Sequence, residues 1–555
     1  MIRRFFFSVV WVALLLGMCA CGQTRREPPP GVMTLVKEQQ ASWVRNFNPL
    51  LAPDLVRYPT TGGIYEPMFI YNAMRGEYVP WLATAYRFSE DKLTLRFDVR
   101  QNVRWSDGKA MTAGDVKFTF ELLRQHKALD LNGVWRFIRE VEATDDHSVV
   151  FRFSRPYVPG LIFLAHQPIV PAHVWRDIAD PVSFANPTPV ATGPFTEVLS
   201  FKNQIYELGK NPNYWQPGKP AIKVLRFPAY PSNDQVNLAL MHGELDWAGS
   251  FVPAIERIFV GRNPKHHGYW FPLVAGTVML YPNLTKAPLD DIRVRKAISM
   301  AIDRERIVQV AMYGYTRPAD VTGLHDGYKL WRDEAIVKKY RWTTHDRARA
   351  EALLDEAGFV KGADGQRRGP NGKVLELEIG TVTGWSDWVR AAQIITRSLQ
   401  AIGIDASMST YDFSAWFDRL QRAEFDLSLG WTVEGASPYA FYRNLMGSGT
   451  RKPAGEAAAS NWHRFSSVQA DALLKSFERT TDAAEQKRMA SELQAVFARE
   501  VPTIPLFLSP AWGEYNTKRF TGFPTKDDPY AKLSPNQIPE NLLVLTRLQP
   551  RRATP

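Results

Sequence analysis

Residues 93–123 set two different periodicities on either side of a turn, and that junction restricts the folds open to the chain. Leu93, Leu95, Phe97 and Val99 alternate with polar residues, the pattern of a strand with one buried face. Ser106-Asp107-Gly108 then supplies a turn, since glycine takes positive φ without steric cost. Thr112 stands at an N-cap position with Asp115 three residues on, as in a capping box, and Val116, Phe118, Phe120, Leu122 and Leu123 follow. The segment predicts a strand, an aromatic turn and a capped helix.

The N-terminus carries Arg3 and Arg4 before an apolar run, residues 5–18, of about 14 residues, too short to span a bilayer and suited to a signal segment. The chain's two cysteines, Cys19 and Cys21, both lie at the end of that run. Ala20 is the small residue a signal peptidase prefers before its cleavage point, so Cys21 is the expected lipidation site and residues 1–20 the expected lipoprotein signal peptide. Residues 21–31, with three consecutive prolines, read as an extended tether. With Cys21 lipidated, no disulfide or cysteine-ligated metal is available to the body, and stability rests on core. A 555-residue chain with 45% hydrophobic residues can bury one across more than one domain.

A formal charge of +11 is spread in short clusters such as Lys338-Lys339 and Arg367-Arg368, without the interleaved aromatics of a nucleic-acid groove. From Val294 onward helix and strand patterns alternate. Val294, Ala297, Ile298, Ala301, Ile302 and Val308 keep helical spacing. Residues 347–357 and 388–402 each end before a glycine, 404–410 and 425–431 read as strands, and 483–499 as a long helix. Alternation of this kind predicts an α/β sheet with crossover helices.

Tyr65-Glu66-Pro67-Met68, the segment at 93–123, Thr192-Gly193-Pro194-Phe195, Asn211-Pro212-Asn213-Tyr214-Trp215, Val294-Arg295-Lys296-Ala297-Ile298 with Ala301-Ile302-Asp303, and Ile504-Pro505-Leu506-Phe507 occur in this order. Together they resemble family 5 of the extracytoplasmic solute-binding proteins of ABC importers, the oligopeptide and dipeptide class. The resemblance implies an α/β, two-lobed periplasmic-binding-protein fold of type II. The implied first lobe covers residues 32–283, with an extra subdomain at about 66–194. The second lobe covers 284–507, and 508–555 completes the first. Hinges are expected near 281–284 and 504–507. It also implies a monomer that delivers its ligand to permease subunits driven by cytoplasmic ATPases, held to the membrane by the lipid anchor, with no nucleic-acid partner and no cofactor.

In peptide-binding relatives a tryptophan matching Trp431 is followed three residues later by an aspartate that pairs with the ligand's α-ammonium; here that residue is Glu434. Trp385 and Trp388 in Gly-Trp-Ser-Asp-Trp, and Trp462 in Asn-Trp-His, put flat rings beside polar groups, which suits sugar rings and peptide side chains alike. Asn48 matches a position near the family's cleft, and an Asn-Pro turn also accounts for it. A short peptide is the first ligand expected, and a cello-oligosaccharide-like sugar the alternative. The chain has no His-Glu-x-x-His, Gly-x-Ser-x-Gly, Gly-x-Gly-x-x-Gly or phosphate-loop motif, which counts against an exported hydrolase. Its ten histidines are scattered, so no metal site is expected.

Overall fold

The computed structural model describes residues 29–551 apart from residues 38, 53 and 54. The expected signal segment, most of the tether and Cys21 lie outside the described residues. Two large sheets organise the chain. The first has seven strands in the spatial order His267–Tyr269, Glu514–Asn516, Trp247–Ala248, Val32–Val36, Val224–Pro228, Ile205–Lys210 and Phe195–Lys202. The second has five, in the order Asp405–Tyr411, Glu376–Val382, Leu427–Gly430, Thr277–Pro282 and Ile504–Leu508.

The alternating region folds as its pattern predicts. Glu376–Val382 runs parallel to Asp405–Tyr411, and the helix Ser386–Ala401 crosses between them with Ala391, Ile395 and Leu399 buried. It begins two residues before the expected start, and Gly403 ends the turn at φ +90°. The helical spacing across 294–308 does not give one helix. Ile292–Ala301 stops, and Asp303 caps a new turn by accepting from Arg306 N–H at 2.9 Å. The strand expected at 425–431 is the shorter Leu427–Gly430.

A four-stranded antiparallel sheet, in the order Ala83–Phe88, Thr94–Val99, Ser148–Phe153, Ile138–Asp145, forms a separate layer beside the first sheet. The helix Ala113–Gln125 packs on it through Phe120, whose ring meets that of Phe151 edge-on at 4.8 Å. Both halves of the capping box form: Thr112 Oγ1 accepts from Gly114 N–H at 3.2 Å, and Asp115 Oδ2 accepts from Thr112 N–H at 3.0 Å.

The recurring motifs prove to be buried polar anchors. Glu66 accepts from Trp81 Nε1 at 2.7 Å, Tyr214 OH at 3.0 Å and Trp215 Nε1 at 3.1 Å, which ties two distant motifs together. At Gly193 a Cβ would lie 2.3 Å from the carbonyl oxygens of Gly63 and Ile64, so only glycine fits. Arg295 donates to the carbonyls of Leu289, Asp290, Glu500 and Val501 at 2.8–2.9 Å, which pins its helix to the end of Ala483–Glu500.

The second sheet starts before the expected boundary at 284. Thr277–Pro282 is buried throughout and pairs on both sides, with Leu427–Gly430 and Ile504–Leu508. The chain therefore passes between the sheets at 270–276 and 509–513, and residues 281–284 and 504–507 are not the crossings. The two passages run side by side: Trp270 N–H donates to Gly513 O at 3.0 Å, Ala511 N–H to Pro272 O at 2.9 Å, and Ser509 N–H to Gly276 O at 3.0 Å. Among the described residues no helix is long and apolar enough to cross a membrane.

Glu514 lies fully buried in the strand that closes the first sheet, with Oε2 accepting from Ser250 N–H at 3.2 Å and Oε1 without a partner. Burial raises its carboxyl well above the ordinary range. Folding thus favours the protonated acid, and the stability it contributes is complete below the ordinary carboxylate pKa and lost as pH rises through the raised one. Glu514→Gln keeps the shape and removes the titration. In urea unfolding, the stability of the wild type relative to this variant is expected to fall as pH rises above the ordinary carboxylate pKa. A difference that does not change with pH contradicts the raised carboxyl.

Candidate functional site

A cavity of about 560 Å³ opens between the two sheets, a size suited to a small-molecule ligand. The first lobe contributes Gln39, Tyr71, Asn233, Ser250 and the loop from Lys532 to Glu540. The second contributes Trp385, Asp387, Trp388, Phe413 and the run from Trp431 to Gly435. Ala275, Ser509 and Trp512, from the paired crossings, close its base.

One wall is aromatic. Trp431 follows the strand Leu427–Gly430, and Tyr281 OH holds its carbonyl at 2.7 Å. Its ring lies nearly parallel to those of Phe413 and Phe417, at 6.2 and 5.7 Å, because the helix Phe413–Arg422 presents both on one face. Trp385 and Trp388 meet edge-on at 4.9 Å, and Trp385 lies 6.4 Å from Trp431. Gly384, at φ +86°, brings this loop against the other lobe, where Asn233 N–H donates to its carbonyl at 3.1 Å.

A line of polar groups spans the cleft. Gln39 Nε2 donates to Ser250 Oγ at 3.3 Å, Ser250 Oγ to Asn233 Oδ1 at 3.2 Å, and Asn233 Nδ2 to Asp387 Oδ1 at 3.3 Å. Burial pushes the Asp387 carboxyl up to about 6. Asn536 Oδ1 is buried beside the cavity with no hydrogen-bond partner. His166 accepts from Tyr71 N–H at 3.0 Å, and burial, reinforced by Lys532, lowers its pKa to about 4, so the ring is neutral.

Glu434 is already paired within the chain through one of its carboxylate oxygens. Its Oε2 is bonded to Lys532 Nζ, which also donates to Gln537 Oε1 at 2.6 Å and lies 3.6 Å from Glu540 Oε2. Burial disfavours the Lys532 ammonium, but Glu434 and Glu540 outweigh it and hold its pKa above the ordinary value. The pair joins the lobes, since Glu434 follows a strand of the second sheet and Lys532 lies in the segment that returns to the first.

A further contact, away from the cavity, joins residues 155–158 to Tyr439 and Glu478. Tyr157 OH meets Tyr439 OH at 3.1 Å, Tyr439 OH donates to Glu478 Oε1 at 2.7 Å, Glu478 Oε2 pairs with Arg155, and Val158 N–H donates to Glu478 O at 3.0 Å.

Of the residues singled out in the sequence, Trp385, Trp388, Trp431 and Glu434 come together around the cavity. Trp462 is a wall behind it, 4% exposed and edge-on to Trp431 at 6.0 Å. Asn48 is elsewhere: fully buried, it donates to the carbonyls of Pro181 and Phe184 at 2.9 and 2.8 Å and staples a loop, as its Asn-Pro context allows. Lys532, Asn233 and Asn536 carried no sequence signal, because each sits in the cavity through long-range folding rather than local pattern. Asp387 lay between the two noted tryptophans. Among the described residues no three His, Cys, Asp or Glu side chains converge on a metal position.

Residues 77–453 match the family model described as Bacterial extracellular solute-binding proteins, family 5 Middle. The chain is 27% identical over 399 residues to the nickel-binding periplasmic protein of Escherichia coli (strain K12), covering 69% of this chain and 72% of that protein. It is 25% identical over 461 residues to the glutathione-binding protein GsiB of the same strain, covering 80% and 82%. A solved structure, the mannohexaose-bound periplasmic oligopeptide-binding protein of an oligopeptide ABC transporter from Thermotoga maritima, matches with a TM-score of 0.88 at 27% identity, covering 95% of this chain and 100% of that one.

Glu478→Ala removes the shared acceptor, taking the carboxylate partner from Arg155 and leaving Tyr439 OH with Tyr157 OH alone. The closed arrangement is expected to lose about 1–3 kcal/mol, seen in solution scattering as a larger radius of gyration without ligand. An unchanged radius contradicts a closing role for this contact.

Proposed function

The chain belongs to family 5 of the bacterial extracellular solute-binding proteins of ABC importers, and from that premise we propose that it captures a neutral oligosaccharide between its lobes and hands it to a permease. Its relatives are binding proteins and not enzymes. The observation that carries the ligand class is the lining of the cavity. Indole and phenyl rings of Trp385, Trp431 and Phe413 stand opposite amides and hydroxyls of Gln39, Asn233, Ser250 and Asn536. Flat apolar faces beside neutral donors and acceptors match the two sides of a pyranose ring. The Thermotoga maritima protein similar to this chain holds a mannohexaose, which supports the reading.

A short peptide is the second reading. It is favoured by Asp387, a buried carboxylate lining the cavity whose hydrogen-bond partner is a neutral amide, and by the glutathione-binding relatives. A thermal-shift screen separates the two. Mannose- and glucose-based oligosaccharides at 100 times the dissociation constant are expected to add about 2.7 kcal/mol, with glutathione and trialanine silent. Stabilisation by the peptides alone overturns the assignment.

The same proposal places the protein outside the cytoplasm, as a monomer anchored through lipidated Cys21. Cys21→Ala is expected to move it from the membrane fraction to the soluble fraction. Fatty-acid labelling that persists in this variant and vanishes in Cys19→Ala identifies the other cysteine as the anchor.

A further inference from the structure

Lys532 is 3% exposed and lines the cavity, a costly position for an ammonium unless the site requires its charge. Its backbone is fixed in the first lobe. Trp247 Nε1 donates to Leu533 O at 2.6 Å, Asn72 Nδ2 to Tyr530 O at 2.7 Å, and Lys532 N–H itself to Glu540 Oε1 at 2.8 Å. From there the side chain donates to two acceptors, Glu434 Oε2 and Gln537 Oε1, and lies 3.6 Å from the carboxylate oxygen Glu540 Oε2. All three residues line the cavity. Without Lys532 the carboxylates of Glu434 and Glu540 would face one partly buried space, an arrangement suited to an ammonium.

We propose that Lys532 determines the specificity of this site: its own ammonium fills, from within the chain, the position where the cavity would otherwise take the ammonium of a ligand, so that primary amines are excluded and neutral ligands selected. The proposal deepens the oligosaccharide reading and rests on it. Exclusion follows from charge and space together. An incoming ammonium at this position would lie beside the buried Lys532 ammonium, or displace it from Glu434 and Gln537 together. A polyol meets neither obstacle. Because Glu434 and Lys532 come from opposite lobes, the internal pair also completes itself only as the lobes approach, whatever the ligand.

Lys532→Ala removes three methylenes and the ammonium, the equivalent of n-propylammonium, so that ion is the probe. Calorimetry and thermal shift with propylammonium are expected to show no saturable binding to the wild type. Binding to Lys532→Ala should be at least tenfold tighter than that of 1-propanol, and lost at least tenfold in Lys532→Ala/Glu434→Gln. Trialanine should likewise bind Lys532→Ala at least tenfold more tightly than N-acetyl-trialanine. If Lys532→Ala does not fold unaided, the same comparison is read as refolding yield in propylammonium against 1-propanol. Equal behaviour of the two probes, or a wild type that prefers trialanine over its acetylated form, overturns the proposal. Oligosaccharide binding to the wild type is a separate readout. Its failure alongside a gained amine site leaves Lys532's role standing for another neutral ligand, and its success without an amine site refutes only the role of Lys532.

Discussion

The strand Glu514–Asn516 pairs between His267–Tyr269 and Trp247–Ala248, so the end of the chain is built into the sheet where the chain began. Everything else in the architecture depends on that pairing. To complete it, the chain must leave the first sheet, build the second and return, which produces two antiparallel passages bonded to one another at 270–276 and 509–513. Phe251 and Phe271 pack against Trp512 beside them, with ring centroids 5.6 and 4.8 Å from its ring. The cavity lies directly against these passages, so any change in the angle between the lobes changes the space a ligand occupies.

Local chemistry was legible where it was written in adjacent residues. Thr112 and Asp115 announced a capped helix, and Gly358 and Gly403 marked helix ends, because these signals act within one turn. What failed was information about partners. The buried run Thr277–Pro282 reads as a strand but does not say which sheet it joins, so the boundary between lobes was set too late. Helical spacing ran on through Ile302 because periodicity does not register an aspartate that caps the next turn. Glu434 was found by its distance from Trp431, yet its partner lies 98 residues further on, in a loop with no periodic pattern.

The buried charges fall into two kinds. Glu66 and Arg295 are satisfied by the scaffold itself, the first by Trp81, Tyr214 and Trp215, the second by backbone carbonyls, and neither lines the cavity. Removing either would leave several orphaned donors or acceptors. Lys532, Glu434, Glu540 and Asp387 lie at the cavity. These motif residues thus hold the lobes in shape, whereas the charged residues that line the cavity stand outside the motifs.

The central claim is that a neutral ligand is held by rings and amides, with the carboxylate at Glu434 already neutralised by Lys532. The most direct test is calorimetric titration of the intact protein with an oligosaccharide at about 0.05 M and about 0.5 M salt, where screening weakens contacts between charges and leaves stacking nearly untouched. The account predicts a dissociation constant that agrees within about twofold at the two concentrations. Binding only of ligands bearing a free amine, weakening steeply as salt rises, would contradict it.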